Sequence, residues 1–557
     1  MRHRSGGPAA AAVLAATLAL IAALPAPAAV PPIGPLVPIG EELRHRIENA
    51  GRPPRLRAGG TPILAAATLA RFYEARAFAP AWRDDGDNGW PERTRGLLDA
   101  IRASVRQGLE ANDYHLAALE AALAQAPPGA DASESADLDL LLTDAYLLLA
   151  SHYLTGRLDP ETIDPEWGAA RRGADLAAHL AETLRTGRVR ARLEALLPAE
   201  PGYQGLVELL ARYRGIDAAG GWPLVPGGPK LEPGDRDPRV AALRARLQVT
   251  GELPEQPPEE PTVFDAALEA AVRRFQESHG LEADAVVGPA TLAELNRSAA
   301  ERIRQIAVNL ERWRWLPEDL GRRHVLVNIA GFRLQAVQDG APVIDSKVIV
   351  GRQYRRTPVF SDRIRYLVVN PSWDVPRSIA VRDKLPLLQK DPQALSRGRF
   401  LVLAGQQVID PASVDWSALS ASHFPYRLRQ QPGPQNALGR VKIMFPNRFN
   451  VYLHDTPDRE LFERGVRTFS SGCIRVEKPV ELAAWVLAET PGWDHEALEA
   501  AIATGRERTI PVSMPVPVHI LYWTARMDAD GTAQFRPDVY GRDPRVAAAL
   551  ERRPPAP

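Results

Sequence analysis

The 557 residues contain a single cysteine, Cys473. One thiol cannot close an internal disulfide, and in an exported protein an unpaired cysteine invites unwanted chemistry unless its reactivity is used. An excess of one charge sign is also missing, since 68 basic side chains face 68 acidic ones. That balance argues against a polyanion such as nucleic acid as the main partner. No metal-ligand cluster, phosphate-cradling glycine loop or nucleotide fingerprint is present, so no cofactor and no metal is expected. Long apolar runs are missing beyond the first thirty residues, so any membrane contact is limited to that segment.

The first thirty residues read as an export signal. Arg2, His3 and Arg4 are basic, 9–24 is an apolar run, and Ala26-Pro27-Ala28-Ala29 supplies small residues where a signal peptidase cuts. Residues 1–29 are therefore expected to be a signal peptide, with an uncleaved anchor as the alternative. Sixteen apolar residues fall short of the roughly twenty that cross a bilayer.

Length and a hydrophobic content of 45% suit three or four domains at about 100 to 200 residues each. The 51 prolines and 41 glycines cluster between periodic segments and mark joints. Residues 40–216 have apolar positions at helical spacing and few β-branched residues, which predicts a helical scaffold. Within it, Tyr114 and His115 read as packing or capping residues. Residues 217–237 form a Gly/Pro-rich linker.

Residues 237–297 read as three short helices, with Val240, Leu243 and Leu247 on one face and Asp265 placed to cap the second. Phe264-Asp265, Ala271-Val272 with Phe275-Gln276, Gly280-Leu281 and Val287-Gly288 with Thr291 resemble the peptidoglycan-binding three-helix domain of many cell-wall enzymes. The alternative is a spacer of the same fold with a closed groove, and the Pro/Glu-rich insert 254–261 bears on access to it.

From His324 the periodicity changes to two-residue alternation, with Asp339-Gly340 as a hairpin signal. This predicts a mainly antiparallel β domain. Residues 385–426 interrupt it with helix-like and polar sequence too long for a hairpin loop, as expected of a lid. Trp373, Trp416 and Phe424 either line the site or pack within that lid.

His454 precedes Cys473 by nineteen positions. If 450–454 is a strand, Val451 and Leu453 face the core, Tyr452 and His454 face a cleft, and Asp455 points away from it. Ser470-Ser471-Gly472-Cys473-Ile474-Arg475 follows, just before a helix. Gly472 permits close backbone approach, and amides near Cys473 can bind an oxyanion. Arg475 either stabilises an anion, gripping a substrate carboxylate, or forms a structural ion pair. On these residues alone a buried, inert thiol and a packed histidine are as consistent as a nucleophile and its base.

His454-Asp-Thr-Pro457, the spacing, and Ser470-Ser-Gly-Cys-Ile-Arg475 resemble the signature of L,D-transpeptidases, the YkuD-type domain. Gly351-Arg352, Arg356-Thr357-Pro358, Asn370-Pro371, Trp373, Val375-Pro376 and 431–439 add to the likeness. The whole chain resembles the long periplasmic Gram-negative form: multidomain α+β, with a catalytic domain at 322–545 and a lid at about 385–426. The resemblance implies Cys473 as nucleophile and His454 as base. It also implies Gly472, Ser471, Tyr452 and Arg475 at the oxyanion and substrate. A tetrapeptide stem would be the donor and a diaminopimelate side-chain amine the acceptor, giving 3→3 cross-links and a carbapenem target. Peptidoglycan stems and glycan are the implied partners, with penicillin-binding proteins as candidates. Alternatives are an L,D-carboxypeptidase or lipoprotein-releasing hydrolase of the same fold, and a non-enzymatic wall-binding scaffold. Many family members carry histidine where this chain has Ser471, so His454 is the one base in the motif. The group that orients it is not legible.

Overall fold

The computed structural model describes residues 38–51, 55–82, 92–125, 131–164, 167–168 and 171–552. The expected signal peptide lies outside them. No helix among the described residues is long and apolar enough to cross a membrane.

The scaffold is organised around Ala132–Thr155, a 24-residue helix capped by the Asp131 carboxylate and buried on nearly every side. A helix apolar all round must be surrounded, and its few polar residues have partners. The Asp139 carboxylate accepts the amides of Ala81 at 2.7 Å and Trp82 at 3.1 Å. That of Asp144 accepts the Ala65 amide at 2.6 Å and meets His115 Nε2 at 2.7 Å. Tyr114 pairs with His152 Nδ1 at 3.0 Å. Both sequence-noted residues therefore serve the scaffold core.

A second, separate core crosses the expected joint near 216. The helix Pro201–Ala218 places Tyr203, Leu206, Leu209 and Leu210 in the same apolar cluster as the main sheet. In the three-helix module, Arg239–Thr250, Ala266–Ser278 and Pro289–Leu295 bury Val240, Leu243 and Leu247 as the spacing predicts, and Asp265 caps the second helix. Val225 and Leu231, from the stretch read as linker, belong to this core as well. The module docks on the β domain, where Arg536 Nη1 donates to the Ser278 carbonyl at 2.6 Å.

The main sheet contains β1 (Arg323–Asn328), β2 (Arg333–Gln338), β3 (Ala341–Gly351), β4 (Val359–Val369) and β5 (Val441–Met444). Further along are β6 (Leu453–His454), β7 (Thr468–Ser470), β8 (Ile474–Val476) and β9 (Arg508–Leu521). The strand order is β5-β6-β8-β3-β2-β1-β9-β4, and β5 pairs with β4 again, so the sheet closes on itself. Most pairs are antiparallel, but β6·β8, β9·β1 and β7·β3 are parallel. A two-residue scaffold strand, Trp167–Gly168, adds to β4.

The interrupting segment is a folded subdomain and more than a lid loop. Trp373–Asp374, Phe400–Ala404, Gln407–Ile409 and Arg427–Gln430 form a four-stranded sheet. Short helices between Arg377 and Arg397 pack on it through Leu385, Leu388, Val402, Trp416 and Phe424. Trp416 and Phe424 thus belong to the insertion's own core, whereas Trp373 reaches the cleft.

Candidate active site

The parallel register of β6 and β8 builds the site. Leu453 pairs with Ile474 and His454 with Arg475. Leu453 and Ile474 are fully buried in the core. Because side chains alternate across a strand, Tyr452, His454, Cys473 and Arg475 face the other way, into one cleft. The expected five-residue strand is shorter. Asn450 has φ 54°, and the Asn447 side chain closes a loop around it, so ladder pairing starts at Leu453.

His454 Nδ1–H donates to the Asp455 carbonyl at 2.5 Å, which leaves Nε2 as the proton acceptor. The orienting group is therefore a backbone carbonyl. The Asp455 carboxylate points away and accepts the amides of Arg440 at 2.9 Å and Thr456 at 2.8 Å. Burial, reinforced by Arg475 and Lys442, holds the imidazole down to a pKa of about 3. Burial pushes the Cys473 thiol up, opposed by hydrogen bonding from the Tyr452 amide and hydroxyl and by the charges of Lys442 and Arg475. At rest the pair is thus neutral thiol and neutral imidazole, and Sγ lies 3.8 Å from the Asn450 carbonyl.

The cysteine turn is fixed from within. Gly472 has φ 115°, a conformation that side-chain-bearing residues rarely adopt. Its amide donates to Ser470 Oγ at 3.1 Å, and Ser470 Oγ–H donates to the Cys473 carbonyl at 2.5 Å. The Gly472 amide thus has a partner inside the turn. Thr357 Oγ1–H donates to the Gly472 carbonyl at 2.9 Å and accepts the Gly351 amide at 2.9 Å. The Tyr540 hydroxyl donates to the Gly351 carbonyl at 2.6 Å. Sequence reasoning quoted Thr357 only as part of a likeness and missed Tyr540, which no local pattern ties to a turn so far away. Ser471 Oγ accepts from Arg355 Nη1 at 2.8 Å. Arg475 forms the ion pair with Asp458, at 2.7 Å, while still lining the cleft.

Lys442 pairs with His454 across β5 and β6, and its ammonium lies 4.1 Å above the Tyr452 ring. Burial raises the Tyr452 hydroxyl's pKa, keeping it a neutral donor. The cleft measures about 1120 Å³ and is lined by seven basic side chains against the carboxylates of Asp374, Asp383 and Asp458. Each carboxylate pairs with an arginine: Arg429, Arg355 and Arg475 respectively. The surplus of cations suits ligands bearing carboxylates.

Three segments of the chain are similar to known protein families. Residues 322–514 match the family model described as "L,D-transpeptidase catalytic domain". Residues 236–295 match "Putative peptidoglycan binding domain", and 67–210 match "Scaffold domain". A Haemophilus influenzae protein named "Putative L,D-transpeptidase" is 38% identical over 246 residues, which cover 44% of this chain and 49% of that protein. The chain thus spans about half the length of this curated relative. A crystal structure of an L,D-transpeptidase from Xylanimonas cellulosilytica aligns at 16% identity over 53% of this chain and 99% of the other, with a TM-score of 0.17. One from Stackebrandtia nassauensis aligns at 12% identity over 54% and 96%, with a TM-score of 0.21. Over 322–514 the chain is thus similar to L,D-transpeptidase catalytic domains of the YkuD type, and in the same chain lie segments similar to a scaffold domain and to a peptidoglycan-binding domain.

Proposed function

We propose that this chain cross-links peptidoglycan by way of an acyl-enzyme on Cys473, in the periplasm and after export by its first 29 residues. The donor is a tetrapeptide stem. The Cys473 thiol gives its proton to His454 Nε2 as sulfur adds to the carbonyl of the third residue, a diaminopimelate. The tetrahedral oxyanion takes hydrogen bonds from the Tyr452 hydroxyl and from amides of the cysteine turn. Collapse breaks the peptide bond, the imidazolium proton passes to the departing D-alanine amine, and a thioester remains. The side-chain amine of a second diaminopimelate then adds to the thioester, loses its proton through His454, and returns the thiol. A 3→3 cross-link results without a nucleotide, because the thioester conserves the energy of the cleaved bond.

The observation that carries this reading is the β6·β8 register, which gives Cys473, His454 and Tyr452 one common face. A basic cleft of this size supports two peptide stems as ligands. The folded insertion beside it supports exclusion of water, the competitor that would make the enzyme a carboxypeptidase. Incubating the full chain with purified tetrapeptide stems and weighing the products separates the outcomes. Cross-linked dimer is expected. Tripeptide without dimer would mean a hydrolase, and product that persists in Cys473→Ala would mean that the thiol is not the nucleophile.

A further inference from the structure

Arg355 links the insertion to the cysteine turn. Arg355, on the loop after β3, sets both guanidinium nitrogens on the Asp383 carboxylate, at 2.5 and 3.0 Å. The same Nη1 donates to Ser471 Oγ at 2.8 Å, two residues before the thiol. The Arg355 and Asp383 side chains are 12% and 37% exposed, and both line the cleft. Asp383 lies in Ala380–Lys384, a π-helical turn between two short α-helical segments of the insertion. Such a wide turn is rare, re-aims the side chains it carries, and is found mostly at functional positions.

A guanidinium holding a carboxylate fork to fork is the arrangement by which arginine recognises a ligand carboxylate. Here the carboxylate is the protein's own, and it comes from the element that borders the cleft. We propose that Arg355 is the carboxylate-recognising residue of the cleft and that Asp383 is its resident surrogate, exchanged for a ligand carboxylate as the insertion helix moves away. The exchange leaves the charge on Arg355 balanced throughout and keeps Ser471 held. It is therefore a swap of equals that binding of the remaining ligand can tip. The identity of the ligand, a stem peptide, rests on the function proposed above.

The test uses the full chain carrying Cys473→Ala, so that no turnover occurs. Two probes are compared by calorimetry: a tetrapeptide stem with a free C-terminal carboxylate and the same peptide amidated there. Asp383→Ala should bind the acid about fivefold more tightly and the amide unchanged, the scale expected for one partly exposed ion pair. Arg355→Ala should bind the two alike. Hydrogen exchange across 377–390 should rise when the acid is added, stay put with the amide, and be high in Asp383→Ala without peptide. Peptides that bind with unchanged acid-over-amide preference in Arg355→Ala overturn the proposal and leave the stem-peptide reading standing. Binding of neither peptide to any variant overturns both. Exchange across 377–390 that ignores Asp383→Ala also overturns the proposal.

Discussion

Replacing Gly439 by alanine should disable His454 without touching it. Gly439 has φ 60°, and a Cβ there would lie 2.4 Å from Cβ and Cγ of Asp455 and 2.5 Å from its Oδ2. Asp455 is only 5% exposed, and its carboxylate holds two amides. It has no free direction in which to yield. The left-handed backbone costs alanine about 1–2 kcal/mol, and losing one hydrogen bond to a buried carboxylate adds about 1.5–3 kcal/mol. The sum, about 2.5–5 kcal/mol, does not exceed a typical domain stability of about 5–15 kcal/mol, so the variant stays folded but is locally strained. The strain is relieved where the Asp455 carbonyl orients the His454 ring. An error of about 1 Å in a catalytic group costs about 100-fold in rate. Gly405 is the control: its φ is 61° and a Cβ there meets nothing within 4 Å, so alanine costs about 1–2 kcal/mol and no activity. The assay is single-turnover acylation by a tetrapeptide stem, read by intact mass, beside hydrogen exchange across 439–456. Equal rates and equal exchange in the two variants would refute the reasoning.

Three further outcomes are expected. With the neutral imidazole as the proposed base, activity should be lost as pH falls through the His454 pKa; held near 3, it should leave kcat/KM flat well below the ordinary histidine value of about 6.5. Arg475→Met removes a neighbouring cation and leaves Asp458 unpaired, so the acid limb should move to higher pH; an unmoved limb in a pH–rate profile contradicts the assigned cause. Glu311 and Arg314 are ion-paired at 2.7 Å with side chains 0% and 1% exposed, and Glu311 also accepts the Leu158 amide at 2.8 Å. Arg314→Met should destabilise the joint between scaffold and catalytic domain by about 3–5 kcal/mol in denaturant unfolding, with part regained when Glu311 is also made apolar.

What the sequence revealed was whatever is local. Two-residue alternation from His324 announced the sheet, because one buried face imposes its period on the strand, and the Asp265 cap and the Val240, Leu243, Leu247 stripe announced the helices of the small module. The cysteine and histidine were conspicuous because their motif is contiguous and their spacing fixed. The insertion's strands were not legible: Phe400–Ala404 is too short and too evenly apolar to declare a period, and its partner Arg427–Gln430 is mostly polar. Nor was the support of the turn, since Tyr540 and Gly351 lie 189 positions apart in the chain. The hydrogen bond from the Gly472 amide to Ser470 was not legible either, being set by one side-chain rotamer that sequence does not specify. Val225 and Leu231 show that a Gly/Pro-rich stretch read as a joint need not be a gap in the core.

The central claim is that Cys473 carries the acyl group, and the most direct measurement is the intact mass of the full chain after mixing with a tetrapeptide stem in the absence of acceptor. The expected spectrum gains the mass of the tripeptide acyl group on Cys473, vanishes to the unmodified mass when a diaminopimelate amine is supplied, and shows no adduct in Cys473→Ala. Release of D-alanine from the wild type with no covalent adduct at any time, or an adduct that maps elsewhere, would contradict it.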